Sequence, residues 1–163
     1  SVARLARHMV LLRAGQVVAA GPTQELMAQL DLALTQGDAA AAVVPATVAR
    51  HDAQDHLTTV RFTCGELQLV SPQERPVGQS VRLRVQARDV SLALVRPEST
   101  SILNLVPARI TALREDGPGQ VMVALDAGGT ALLARVTQRS ATTLALAPGQ
   151  NVYAQIKAIA LLD

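Results

Sequence analysis

From Val43 onward the sequence breaks into short runs of β-favouring residues, each closed by Gly, Pro, Asp or Ser. A first series covers 47–50, 57–63, 66–70, 80–87 and 90–95; a second covers 108–114, 120–125, 131–137, 151–157 and 159–162. No such run can bury a face alone, and strands at this spacing predict a small closed or nearly closed barrel. One helix interrupts them, over 140–146, with Ser140 at its N-cap and Pro148-Gly149 ending it. The two series read as a degenerate internal repeat. Pro45-Ala46-Thr47-Val48 matches Pro107-Ala108-Arg109-Ile110, and Val77-Gly78-Gln79-Ser80-Val81 matches Pro148-Gly149-Gln150-Asn151-Val152. In the same frame Gln86 falls opposite Lys157.

The stretch before Val43 is patterned differently. Val2, Leu5 and Met9 make one apolar stripe of a short helix. Residues 9–12 and 17–20 read as a hairpin turned by Arg13-Ala14-Gly15-Gln16 and stopped by Gly21-Pro22. Thr23 is the expected N-cap of a helix whose apolar face is Leu26, Met27, Leu30 and Leu34, and 35–42 reads as a linker. The expected domains are therefore 1–37, a first β repeat at 43–98 and a second at 99–163.

Several function classes lack their signatures. No phosphate loop, nucleophile elbow or C-x-x-C pair occurs, so an enzyme is not expected of this stretch. His51-Asp52-Ala53-Gln54-Asp55-His56 offers two imidazoles and two carboxylates, yet it falls in an inter-strand loop, where Asp and His are ordinary turn residues. Cys64, the lone cysteine, sits before Gly65 at a strand end with no histidine beside it, and reads as packing. Barrels that bind single-stranded nucleic acid need exposed aromatics and a basic groove. Only Phe62 and Tyr153 are aromatic, and 15 basic residues are interspersed with 13 acids for a net charge of +2, so nucleic acid is not an expected partner. No uninterrupted apolar run is long enough for a membrane span, and the first residues lack the apolar core of a signal peptide.

An anion site is the better candidate. A tetrahedral dianion is costly to desolvate, and its pocket must return many hydrogen-bond donors. Three segments carry such donors: Ser101-Ile102-Leu103-Asn104, Thr137-Gln138-Arg139-Ser140 and Ile156-Lys157-Ala158. Lys157 is the only lysine beside 14 arginines. Read from composition alone, Ser101 and Ser140 are better taken as simple caps, and Lys157 as a solvated strand-end charge.

Those segments also carry a resemblance. The S-x-x-N of Ser101 and Asn104, the T-x-R-S of Thr137, Arg139 and Ser140, and the L-x-L-x-P-G-x-x-V-Y-A-x-I-K-A running from Leu144 to Ala158 resemble the molybdenum-pterin-binding (Mop) family, also called molbindin-like or TOBE domains. Val2-Ala3-Arg4-Leu5-Ala6 and the hairpin from Met9 to Pro22 are similar to the end of an ABC-transporter nucleotide-binding domain. Together the halves resemble the C-terminal portion of the ATP-binding subunit of a molybdate importer. The resemblance implies a mainly β fold of two degenerate OB-fold-like barrels, preceded by a helix-hairpin-helix remnant of the ATPase domain. It further implies that the ATP-binding motifs lie upstream.

The resemblance implies an oxyanion ligand, molybdate or tungstate, bound at a subunit interface of a homodimer and giving feedback control of transport. Ser101 would supply a donor, Asn104 would hold the turn, Thr137 and Ser140 would present hydroxyls from the same subunit or its partner, Lys157 the charge and Ala158 a backbone N–H. Simpler molbindins read S-A-R-N, whereas Leu103 stands here in place of the arginine, a donor lost. The implied partners are a second copy and, through the parent ATPase, the membrane permease subunits, with no nucleic acid and no direct membrane insertion. The implied location is cytoplasmic, peripheral to the inner membrane. Two alternatives remain at this level: a purely structural dimerisation domain, or a TOBE domain of an importer for another solute.

Overall fold

The structure, a computed structural model, describes residues 11–13, 16–19 and 23–162. The helix expected over Val2, Leu5 and Met9 lies outside them, as do Met9 and Val10 of the hairpin. β1 (Leu11–Arg13) and β2 (Gln16–Ala19) pair antiparallel, and α1 follows over Thr23–Gln36. Thr23 is the first helical residue rather than the cap. Leu30 and Ala33 are buried on one face of α1 and Leu34 is half-buried, the i, i+3, i+4 stripe of a helix packed on a core.

The expected linker is structured. Gly37, in the left-handed region at φ +57°, turns the chain out of α1 into a single 3-10 turn (Gly37–Ala39). β3 (Ala41–Asp52) then begins six residues before the run at 47–50. Alanine has weak strand preference, which is why this segment does not read as a strand. Pairing with β6 (Ser80–Gln86), from Ala41 opposite Gln86 to Thr47 opposite Ser80, overrides that preference.

The remaining strands are β4 (Leu57–Phe62), β5 (Gly65–Val70), β7 (Val90–Ala93), β8 (Asn104–Glu115), β9 (Gln120–Ala127), β10 (Thr130–Thr137), β11 (Asn151–Ile156) and β12 (Ala160–Leu162). A short helix, α2 (Gln138–Thr143), lies between β10 and β11. One sheet runs β12-β6-β3-β4-β5. The other contains β1-β2-β8-β11-β7, with β9 also on β8 and β10 on β9.

The internal repeat is visible in the hydrogen bonds. Val48 N–H donates to Gln79 O at 2.9 Å and Gly78 N–H to Val48 O at 2.8 Å. At the matching positions Ile110 N–H donates to Gln150 O at 2.9 Å and Gly149 N–H to Ile110 O at 2.7 Å. Both glycines have positive φ, +91° and +89°, so each turn needs its glycine. Both long strands also bulge at matching points, between Val48 and Arg50 and between Ile110 and Ala112.

The repeats exchange their last strands. β7, which ends the first series, pairs with β11 of the second, Ile156 opposite Val90. β12, which ends the second, pairs with β6 of the first, Ala160 opposite Arg84. One core accordingly serves both repeats, with Val44, Val60, Leu67 and Leu83 packed in the same cluster as Ile110, Val123, Leu132 and Ile156. A second cluster lies on the outer side of the second repeat. There Leu30 and Ala33 of α1 meet Ala112, Met122, Ala124 and Leu133. β9 feeds both clusters by alternation, which leaves 121–125 buried throughout. Among the described residues no helix is long and apolar enough to cross a membrane.

Candidate functional site

Asn104 opens β8 directly opposite Ile156, the last residue of β11. Ser101, three residues before Asn104, and Lys157-Ala158, just after Ile156, therefore leave the same end of the β8–β11 ladder. Ser101, Lys157 and Ala158 are all exposed. Lys157 is fixed through its backbone, its N–H donating to Asp89 O at 2.9 Å, which leaves the side chain to solvent. Thr100 Oγ1 accepts from Ile102 N–H at 3.1 Å and shapes the turn around Ser101.

Asn104 is buried, and its amide bridges the two sheets. Its Oδ1 accepts from Gln68 N–H and its Nδ2 donates to Gln68 O, both at 2.8 Å. That pairing satisfies the main chain of β5 at a point where no strand does so. Leu103 beside it is 59% exposed.

Thr137 and Ser140 lie elsewhere. Thr137 ends β10 opposite Gln120, and Val121 is paired with Glu115 at the far end of β8. Twelve residues of β8 separate the two ends, about 35–40 Å along an extended strand and less along one that bulges and coils. Thr137, not Ser140, is the N-cap of α2: its Oγ1 accepts from Ser140 N–H at 3.0 Å and lies 3.0 Å from Ser140 Oγ. The helix covers 138–143 rather than 140–146, because the Thr137 hydroxyl meets the free N–H of the first turn three residues earlier. Both side chains are exposed. Within one chain, Ser101 and Lys157 share one end of the fold, while Thr137 and Ser140 share the other.

Arg135, two residues before Thr137, is a residue that sequence reading passed over. Its side chain is 7% exposed, and its Nε donates to Asp116 Oδ2 at 2.7 Å. Nη1 donates to Asp38 Oδ1 at 2.8 Å and Nη2 to Gly37 O. Arg114 holds Asp31 of α1 at 2.7 Å. These bonds tie the α1 segment to the strands that lead into α2. An arginine inside the apolar run Leu132-Leu133-Ala134-Arg135-Val136 was the available signal.

The histidine-rich loop has structural duties. His51 Nδ1 lies 2.9 Å from Thr58 Oγ1, and Asp52 Oδ1 accepts from the N–H groups of Gln54 and Asp55 at 2.9 and 3.1 Å. Among the described residues no cluster of His, Cys, Asp and Glu has metal-site geometry. Cys64 sits in the β4–β5 turn, with Pro107 O 3.8 Å from its sulfur. A Cβ on Gly128 would come within 3.4 Å of the Cys64 Cβ, so the two hairpin turns lie against each other.

Residues 100–162 match the TOBE domain family. Over 161 residues, 99% of the chain, the sequence is 59% identical to the "Molybdenum import ATP-binding protein ModC" of Albidiferax ferrireducens. It is 50% identical to the protein of that name from Aromatoleum aromaticum over a further 161-residue alignment. The chain spans 43% and 42% of the lengths of those two relatives. Among solved structures it is similar in fold to the cytoplasmic molybdate-binding protein ModG, with a TM-score of 0.65, 24% identity, and coverage of 73% of this chain and 93% of that one. The matched fold agrees with the mainly β, two-repeat architecture expected from the sequence. The second repeat matches the TOBE domain family, and the chain as a whole is similar to the C-terminal part of the molybdenum import ATP-binding proteins.

Proposed function

We propose that this chain is the regulatory, oxyanion-sensing part of the ATP-binding subunit of a molybdate importer. In this reading two copies associate and bind molybdate or tungstate between them, and the bound ligand restrains transport. The relatives named for molybdenum import and the fold shared with a molybdate-binding protein support the ligand class. The parent subunit would be an ABC-type ATPase at the cytoplasmic face of the membrane, docked on permease subunits, with its ATP-binding motifs upstream of this chain.

The observation that carries the reading is the separation of the donors. Ser101, Lys157 and the Ala158 N–H lie at one end of β8, and the Thr137 and Ser140 hydroxyls at the other. One copy cannot close both halves around a single tetrahedral ion. A second copy, lying antiparallel alongside the first, joins the cation and one set of donors to the other copy's hydroxyls at each end. The donor chemistry suits the ligand: one charge, hydroxyls and backbone N–H groups return the hydrogen bonds that a dianion loses on leaving water. Asn104 acts on the site indirectly by fixing the start of β8.

Feedback requires that ligand bind one arrangement of the subunits more tightly than another. The Arg135 cluster supplies a mechanical route, since it joins the strand ending at Thr137 to Asp38 and Gly37 just after α1. Ligand that fixes Thr137 and Ser140 against a second copy thereby fixes the segment leading upstream.

Calorimetric titration with molybdate tests the reading. Lys157→Ala and Ser140→Ala are each expected to abolish binding with the fold intact. Mixing the two variants restores one of the two sites in each mixed dimer, because one of its interfaces keeps both Lys157 and Ser140. No recovery on mixing refutes the shared site, and no molybdate heat with the wild-type chain refutes sensing in favour of a structural dimerisation role.

A further inference from the structure

The outward face of the β12-β6-β3-β4-β5 sheet carries a second concentration of positive charge, centred on β6. On β6 the alternate residues Arg82 and Arg84 are exposed on one side, while Val81, Leu83 and Val85 are buried on the other. The ladder places Arg82 between Pro45 of β3 and Leu162 of β12, and Arg84 between Val43 and Ala160. One pleat along, Thr47 lies between Ser80 and Arg61. Pro45, Thr47, Arg61, Thr63, Ser80 and Arg82 line a groove of about 590 Å³. Among the described residues Arg82 and Arg84 have no carboxylate partner. Glu66 lies 3.5 Å from Arg61 of the groove, and Arg50 holds it in a two-pronged pair at 2.9 and 3.1 Å.

The internal repeat supplies a control for these charges. By the matched registers, Arg82 corresponds to Tyr153, Arg84 to Gln155 and Arg61 to Asp126. The same backbone face in the second repeat is built with no arginine at those three positions. Its one arginine there, Arg109, stands directly opposite Asp126. Strand pairing therefore does not require the cations of the first repeat. Arg61 and Arg82 line the groove, with Arg84 one pleat beyond Arg82 on the same face, and cations gathered in this way repel each other where carboxylates do not offset them.

We propose that this groove binds a small molecule bearing two or more oxyanion groups, of the triphosphate or tricarboxylate class. Guanidinium forks pair with such groups through two parallel N–H···O bonds. The roots of Arg82 and Arg84 lie about 7 Å apart along β6, and that of Arg61, across β3 and one pleat along, about 12 Å from Arg82, a spacing for several linked anionic groups rather than one tetrahedral ion. Thr47, Thr63 and Ser80 add hydroxyl donors, and Pro45 with Leu162 provides an apolar floor.

Titration of the full 163-residue chain with sodium tripolyphosphate, and in a second arm with citrate, tests the proposal. Saturable binding is expected in at least one arm, and the tighter arm identifies phosphate or carboxylate as the preferred chemistry. Arg82→Gln/Arg84→Gln is expected to weaken it by about tenfold or more, each substitution removing a charge-assisted bond. Lys157→Ala is expected to leave it unchanged, which separates this groove from the molybdate reading. An unaltered melting temperature checks that the double variant folds. Equal binding in wild type and double variant, or no saturable binding below about 1 mM, overturns the proposal. So does light scattering in which the double substitution breaks a dimer while anion binding is absent, since the face then belongs to an interface between copies.

Discussion

At Arg135 three acceptors from different parts of the chain meet one buried guanidinium: Asp116, Asp38 and the carbonyl of Gly37. The partners are not equal. Asp116 is 14% exposed and Asp38 88%, so the first pair is weakly screened and the second almost fully. Arg135→Ala leaves the Asp116 carboxylate buried without a cation and is expected to cost about 3 kcal/mol in urea unfolding. Asp38→Asn is expected to cost under about 0.5 kcal/mol. On the opposite sheet, the hydrogen bonds from Arg50 hold the Glu66 carboxyl below its ordinary pKa. A depressed carboxylate stabilises the fold above its unfolded pKa, and that contribution is lost as pH falls through the folded value. NMR titration should find the Glu66 midpoint below the usual glutamate range, moving up in Arg50→Gln. These pairings were not legible in the sequence, because Arg135 and Asp38 are 97 residues apart and no local pattern joins them.

At the scale of elements, strands were legible, and so were the ends that local turn residues mark. The runs from Leu57, Ser80, Gln120 and Asn151 begin where β4, β6, β9 and β11 begin, because alternating apolar residues and turn residues mark them locally. β8 starts at Asn104 rather than Ala108, since its first residues are held by β11 and by the Asn104 clamp on Gln68. Asn104→Ala removes both bonds and strands the Gln68 N–H and C=O, with an expected loss of about 2–3 kcal/mol in thermal or urea unfolding. α2 shows a similar limit. Two residues could cap it, Thr137 and Ser140, and the choice rested on where β10 stops. Thr137→Ala is expected to cost about 1 kcal/mol, while Thr137→Ser retains the cap.

For the whole molecule, the exchange of β7 and β12 makes the repeats interdependent. Each sheet is completed by a strand from the other half, and one core runs through both. Deleting residues 158–163 should therefore loosen the first repeat, not the second from which they come. Hydrogen exchange should rise most at Arg82 and Arg84 of β6, the β12 partners, with β8–β9 protection retained. The opposite order would show that each repeat folds on its own. Spacing, periodicity and the V-Y-A-x-I-K-A motif by themselves determined that the chain is mainly β, repeated in two degenerate copies, and akin to the TOBE family, since these are properties of neighbouring residues. Tertiary structure alone decided that the copies trade strands, that Asn104 is an inter-sheet clamp, and that Lys157 and Thr137 lie at opposite ends of β8. Such facts depend on which distant backbone groups pair, and a pairing between segments far apart in sequence leaves no periodicity in either one.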